Sequence, residues 1–115
     1  PAWVGIYDGD TMLGGGALGY SDAIFTVDSS TGTTIGGETV GGVDFDGDGL
    51  ADMAVAWDID SAGKVAMVSG TDIVNGGTVV HDDLTALTGP NATQFGRHNA
   101  SAVDIDGDGI GDNTD

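Results

Sequence analysis

The 115 residues carry 19 acidic side chains against only Lys64 and Arg97, a formal net charge of −17, with 22 glycines and no cysteine. No basic patch can be assembled to neutralise phosphates, so nucleic acid and anionic membrane surfaces are excluded as partners. Disulfides and thiolate metal sites are excluded as well. The length fits one small domain or two small repeats, and no apolar run is long enough to cross a membrane as a helix. The chain begins at Pro1 rather than Met, which reads as a processed or truncated start.

Taken in chain order, Ala2 to Tyr7 reads as a strand, followed by Asp8-Gly9-Asp10. Gly14-Gly15-Gly16 has no following Lys and opens no helix, so it does not read as a phosphate loop. Ala23 to Asp28 reads as a strand and Ser29-Ser30-Thr31-Gly32 as a turn. An acidic loop runs from Asp44 to Asp52. Met53 to Trp57 is an apolar strand, and Ser61-Ala62-Gly63 turns the chain into a strand at Lys64 to Ser69. Asn75-Gly76-Gly77 is turn material; Thr78 to His81 and Leu84 to Leu87 are further strands, with at most one helical turn over Asp82 to Leu87. No segment sustains helical periodicity. The expected fold is all-β. Hydrophobic residues make up 39% of the chain, gathered in short runs, which suits a modest core better than a disordered acidic chain.

Two stretches share one pattern, Asp-x-Asp-x-Asp-Gly-x-x-Asp: Asp44, Asp46, Asp48, Gly49, Asp52 and Asp104, Asp106, Asp108, Gly109, Asp112. Ca²⁺ takes six to eight oxygens at about 2.3–2.6 Å. Carboxylates at alternate positions of a tight loop converge on one point, and glycine at the sixth position permits the bend. The seventh residue, Leu50 or Ile110, offers its backbone carbonyl and is expected to turn its side chain inward. The ninth, Asp52 or Asp112, contributes directly or through water. The second loop has a further candidate, Asp115, at the twelfth position, where the first has Val55. The expectation is two calcium sites, the second distinguished by Asp115. The competing readings are solvated Asp-Gly turns that bind nothing, and Mg²⁺, which prefers fewer protein ligands.

The loops belong to a larger repeat. Val43 to Leu50 falls on Val103 to Ile110, and Asp52 on Asp112, at an offset of 60 residues (Asp44 to Asp104) with no gap. A strand follows the first loop; the second is followed by the end of the chain, and a similar apolar run stands at Ala2 to Tyr7. Residues 35–94 then form one repeat, and residues 95–115 with 1–34 a second, split one, within a single domain over 1–115. Two arrangements would complete the split repeat: the chain's own termini meeting, or Ala2 to Tyr7 joining the C-terminal loop of a neighbouring copy, head to tail.

Phe95-Gly96, Ser101-Ala102-Val103 and the loop at Asp104, together with Gly36, Val43, the loop at Asp44, Met53 to Trp57 and Gly63-Lys64-Val65 through Gly70, resemble the FG-GAP repeat family of integrin α-subunit propellers and bacterial secreted proteins. The first repeat has Ile35-Gly36 where the family has Phe-Gly, and neither repeat contains Gly-Ala-Pro. The tail Asp104 to Asp115 is also similar to thrombospondin type 3 calcium repeats. The resemblance implies blades of about four antiparallel strands with calcium in the loops, in an extracellular or cell-surface protein. Two blades cannot close a propeller ring. The resulting expectation is a calcium-binding, non-enzymatic structural protein that self-assembles into a filament or ring; the alternative is an adhesive fragment of a larger propeller that binds a glycan or a protein.

Asn91-Ala92-Thr93 and Asn99-Ala100-Ser101 are N-glycosylation sequons. His81 and His98 lack partners at metal-ligand spacing and read as ordinary strand or turn residues. Trp3, Tyr7, Tyr20 and Trp57 suggest either a sugar platform or core packing. Asp8, Asp10, Asp58 and Asp60 read as solvated turns or lesser cation sites. No carboxylate sits in an apolar run that would raise its pKa for acid catalysis, and no nucleophile motif is present.

Overall fold

The computed structural model describes residues 2–30, 33–58, 62–90, 95–98, 100–102, 106–110 and 112–114. It is mostly β, with few and short helices. β3 (Ile35–Val43), β4 (Asp52–Trp57), β5 (Lys64–Val68) and β7 (Ala86–Thr88) form an antiparallel sheet in the order β3-β4-β5-β7. β1 (Trp3–Ile6) pairs antiparallel with β2 (Phe25–Asp28), and β2 pairs parallel with β6 (Gly77–Val80). β8 (Ala100–Ala102) and β9 (Asp112–Thr114) form an antiparallel pair.

β4 explains the layering. All six of its residues are buried, which a strand achieves only when both sheet faces are covered. Met53, Val55 and Trp57 face one way and meet Phe25 and Val27 of β2, with Val4, Ile6 and Val79 behind them. Ala54 and Ala56 face the other way, where Phe45 and Phe95 lie over them and Val65. Small side chains on that face let two phenyl rings approach a sheet only one methyl deep. At Gly96 the packing is closer still: φ is +79°, and a Cβ would stand 2.5 Å from Val65 Cγ2. The Phe95-Gly96 pair thus seats the C-terminal segment on the four-stranded sheet.

Two helices depart from the sequence expectation. α1 (Gly9–Leu13) is capped by Asp8, whose Oδ1 accepts from the N–H of Asp10 at 2.8 Å and of Thr11 at 3.4 Å. α2 (Gly70–Asn75) is capped by Ser69. Both are too short to show periodicity, and their sequences are poor in strong helix formers, so capping and tertiary contacts hold them. The turn expected near Asp82 is a 3-10 turn over His81–Asp83. Residues 35–88 supply the whole four-stranded sheet, yet β6, inside that range, pairs with β2 of the split repeat. No helix among the described residues is long and apolar enough to cross a membrane.

Candidate metal centre

The Asp44–Asp52 loop joins β3 to β4. Gly47 (φ +79°) and Gly49 (φ +90°) put the backbone in the left-handed region and fold the loop back on itself. Asp44 organises the turn: Oδ1 accepts from the N–H of Gly47 at 2.7 Å and of Asp48 at 3.1 Å, and Oδ2 from the N–H of Gly49 at 2.8 Å. Asp46 Oδ1 accepts from Asp48 N–H at 3.0 Å, and Asp48 Oδ1 from Leu50 N–H at 2.9 Å. As a result Asp44, Asp46 and Asp48 each place a carboxylate oxygen within 4.8 Å of the other two, a group that could hold a metal ion. The donor set is all carboxylate oxygen, which suits a hard divalent cation.

The carboxylates feel one another. The Asp48 N–H, the largest single influence on Asp46, lowers its pKa, but desolvation and the charges of Asp52, Asp48 and Asp44 together outweigh it and leave Asp46 raised. Asp48 is lowered, first by the Leu50 N–H and then by the Thr71 hydroxyl, which donates to Oδ2 at 2.8 Å.

Asp52 stands apart from the cluster. It is 2% exposed. Its Oδ2 accepts from the N–H of Phe45 at 2.7 Å and of Asp46 at 3.3 Å, while Oδ1 accepts from Gly70 N–H at 2.7 Å. One buried carboxylate therefore ties the entrance of the loop to the first residue of α2. A Cβ at Gly70 would come within 2.3 Å of the Ala51 carbonyl oxygen; the close approach needs glycine. Thr71 and Gly70 give α2 a part in the site that nothing in the sequence pattern signals.

The second loop repeats the first where it is described. Gly107 (φ +81°) and Gly109 (φ +91°) match Gly47 and Gly49. Asp108 N–H donates to Asp106 Oδ1 at 3.1 Å and Ile110 N–H to Asp108 Oδ1 at 2.8 Å, as in the first loop. Asp104 and Asp115 lie outside the described residues, as do Asn91 and Asn99, and the Asp112 side chain is not described. The inward packing expected of the seventh residues is not found: Leu50 is 40% and Ile110 37% exposed. A Cβ at Gly47 would stand 3.5 Å from Ile110 Cγ1, so Ile110 lies beside the first loop instead of in the core. The reason is that Phe45 and Phe95 already fill the space over Ala54 and Ala56.

The histidines and aromatics sort cleanly. His81 is a core residue: its ring stands edge-on to Trp57 at 5.3 Å, Nδ1 accepts from Ser30 N–H at 3.2 Å, and Nε2 lies 3.2 Å from Asp82 Oδ1. His98 is exposed in a turn. Trp57 is buried, whereas Trp3 and Tyr20 meet on the outside of the three-stranded sheet. Asp8 caps α1 and Asp58 pairs with Lys64 at 3.6 Å, so both serve as local structure; Asp60 lies outside the described residues. Comparison with known protein families, curated proteins and solved structures finds no match to this chain.

Proposed function

We infer that this chain is a calcium-binding, non-enzymatic structural protein of the extracellular space, built from two blade-like β repeats akin to those of the FG-GAP family, and that copies of it associate head to tail. The observation that carries the calcium reading is the convergence of Asp44, Asp46 and Asp48 in a loop whose backbone shape recurs at Gly107 and Gly109. Asp106 and Asp108, with Asp104, Asp112 and Asp115, supply the second site; the Leu50 and Ile110 carbonyls complete the two oxygen sets. Each bound ion offsets two charges of a chain at −17. Loops of this kind in extracellular modules bind with modest affinity, matched to millimolar calcium.

The association reading is supported by the strand partners. β1 pairs with β2 and forms an outer edge of its sheet, while β9 pairs with β8 in a separate sheet. Ala2 to Tyr7 is thereby left with an edge to offer the C-terminal loop of a neighbouring copy. A second reading, an adhesive fragment of a larger propeller that engages a glycan or protein, draws on the antiparallel β3-β4-β5-β7 sheet covered on both faces, as a blade in a ring is.

Calorimetric titration with CaCl₂ tests the calcium reading: two ions per chain are expected, and one in Asp46→Ala or Asp106→Ala. Sedimentation velocity over a concentration series in calcium tests association. A monomer at every concentration sinks the head-to-tail arrangement and leaves the propeller fragment.

A further inference from the structure

The outer face of the three-stranded sheet holds a cluster that the calcium loops do not use. Val4 and Ile6 of β1 pack into the core, so Trp3, Gly5 and Tyr7 point outward by strand alternation. Gly5 lets two rings converge: a Cβ there would stand 2.5 Å from Trp3 Cζ3 and 3.0 Å from Tyr7 Cε2 and Oη. Across the sheet Trp3 is paired with Asp28, Gly5 with Thr26, and Thr26 with Thr78. Tyr20 lies over this face with its ring 5.2 Å from that of Trp3 at an interplanar angle of 79°. Its hydroxyl donates to Asp28 Oδ2 at 2.8 Å and accepts from Thr26 Oγ1 at 3.2 Å, with Thr78 Oγ1 at 3.3 Å.

One atom of this network is unmatched. Asp28 Oδ1 is buried and has no hydrogen-bond partner. A carboxylate oxygen withdrawn from water without a donor is costly. Nor, among the described residues, does a lysine or arginine balance the charge: Lys64 is paired with Asp58, and Arg97 follows Gly96, which packs against Val65 and Ala56 on the other face of the four-stranded sheet. The Tyr20 proton is committed to Oδ2, and the two threonine hydroxyls lie 2.8 Å apart. The cluster's free valence is thus an acceptor with negative charge, set among aromatic rings.

That combination fits a cation carrying N–H groups. Rings attract the positive charge through their π faces, and an N–H satisfies the carboxylate. A neutral sugar, whose hydroxyls need donors as well as acceptors, is served less well. We propose that Trp3, Tyr7, Tyr20 and Asp28 form a binding site for a primary alkylammonium group of a small molecule. Oδ1 is buried in the free chain, so binding requires the side chains over it to move; Tyr20, which lies on this face, is 44% exposed.

The test is a titration of the full chain in saturating calcium with n-butylammonium chloride, against NaCl of equal concentration, followed by amide and indole NMR shifts. Saturable shifts are expected at the Trp3 indole and the Gly5 amide, with the buried Trp57 indole as an unmoved reference. Tetramethylammonium, which has the charge but no N–H, should bind at least fivefold more weakly, and methyl glucoside not at all. Asp28→Asn should weaken n-butylammonium about tenfold and Trp3→Leu about fivefold. The buried Trp57 indole should keep its parent resonance position in both variants, so a general loss of folding is distinguishable from loss of the site. Absence of saturable shifts, equal binding of tetramethylammonium, or an unchanged Asp28→Asn overturns the proposal.

Discussion

Asp52→Ala should unfold this protein far more readily than any other change of a loop carboxylate, and should do so without calcium. The Asp52 carboxylate is 2% exposed and accepts three backbone N–H groups, from Phe45, Asp46 and Gly70. A hydrogen bond to a charged group contributes about 1.5–3 kcal/mol net, and a buried donor left unpaired costs about 1–3 kcal/mol. Phe45 and Asp46 stand at the mouth of the loop, where water can replace part of the loss. The Gly70 bond is buried, and its N–H has no such recourse. The loss then comes to about 3–5 kcal/mol, or roughly 12–20 °C in Tm for a domain of this size. Asp52→Asn keeps one acceptor oxygen and should lose about half as much. The assay is circular dichroism melting in excess chelator, with Asp46→Ala beside it. Asp46 is exposed and, among the described residues, its carboxylate accepts one backbone N–H, that of Asp48, so its metal-free Tm should stay within about 2 °C of the parent. A metal-free Asp52→Ala that melts within about 3 °C of the parent would refute the assignment of Asp52 as the tie between loop and helix.

Val55→Ala empties space beneath Phe25 and Val27 in the main core, where Val55 is fully buried; urea unfolding should show a loss of about 2–3 kcal/mol. Gly96→Ala meets Val65 Cγ2 and takes a β-carbon into φ +79°, so chemical denaturation should give about 1–3 kcal/mol of destabilisation. Acid should weaken calcium binding in order. Asp46, held above its ordinary pKa, takes up a proton before Asp48, which is held below. Without calcium the sign is reversed for Asp46: a raised carboxylate pKa favours the folded state below that pKa and costs stability above it. Melting with and without calcium between pH 7 and about 4 should show the calcium-induced gain shrinking as pH falls.

Much of the β architecture was legible because its signals are local. β1, β2, β4, β5 and β6 coincide with short apolar or β-branched runs bounded by Gly, Ser or Asp turns. The acidic loops were legible because alternate spacing gathers carboxylates, as it does Asp44, Asp46 and Asp48, and Gly49 and Gly109 take the positive φ expected of them. β3 was faint, since four of its nine residues are glycine and no alternation can be read from them. The parallel pairing of β2 with β6 joins segments some fifty residues apart, and nothing in either segment encodes its partner. α2 was hidden for a different reason: its six residues are helical through the Ser69 cap and through Gly70 and Thr71, which bond to Asp52 and Asp48. Leu50 and Ile110 lie outward because Phe45, within the first loop, and Phe95 already occupy the space over Ala54 and Ala56, a competition invisible to loop spacing.

The central claim is that the Asp44, Asp46 and Asp48 cluster binds calcium as part of the folded state. Saturating two sites at about a hundredfold over Kd would stabilise the fold by about 5 kcal/mol, or roughly 15–20 °C in Tm. Melting the parent in CaCl₂ raised to about a hundredfold over the Kd found by calorimetry, and again in excess chelator, measures this directly. The account predicts a rise of that size, reversed by chelator and roughly halved in Asp46→Ala; a melting curve that calcium leaves unchanged would contradict it.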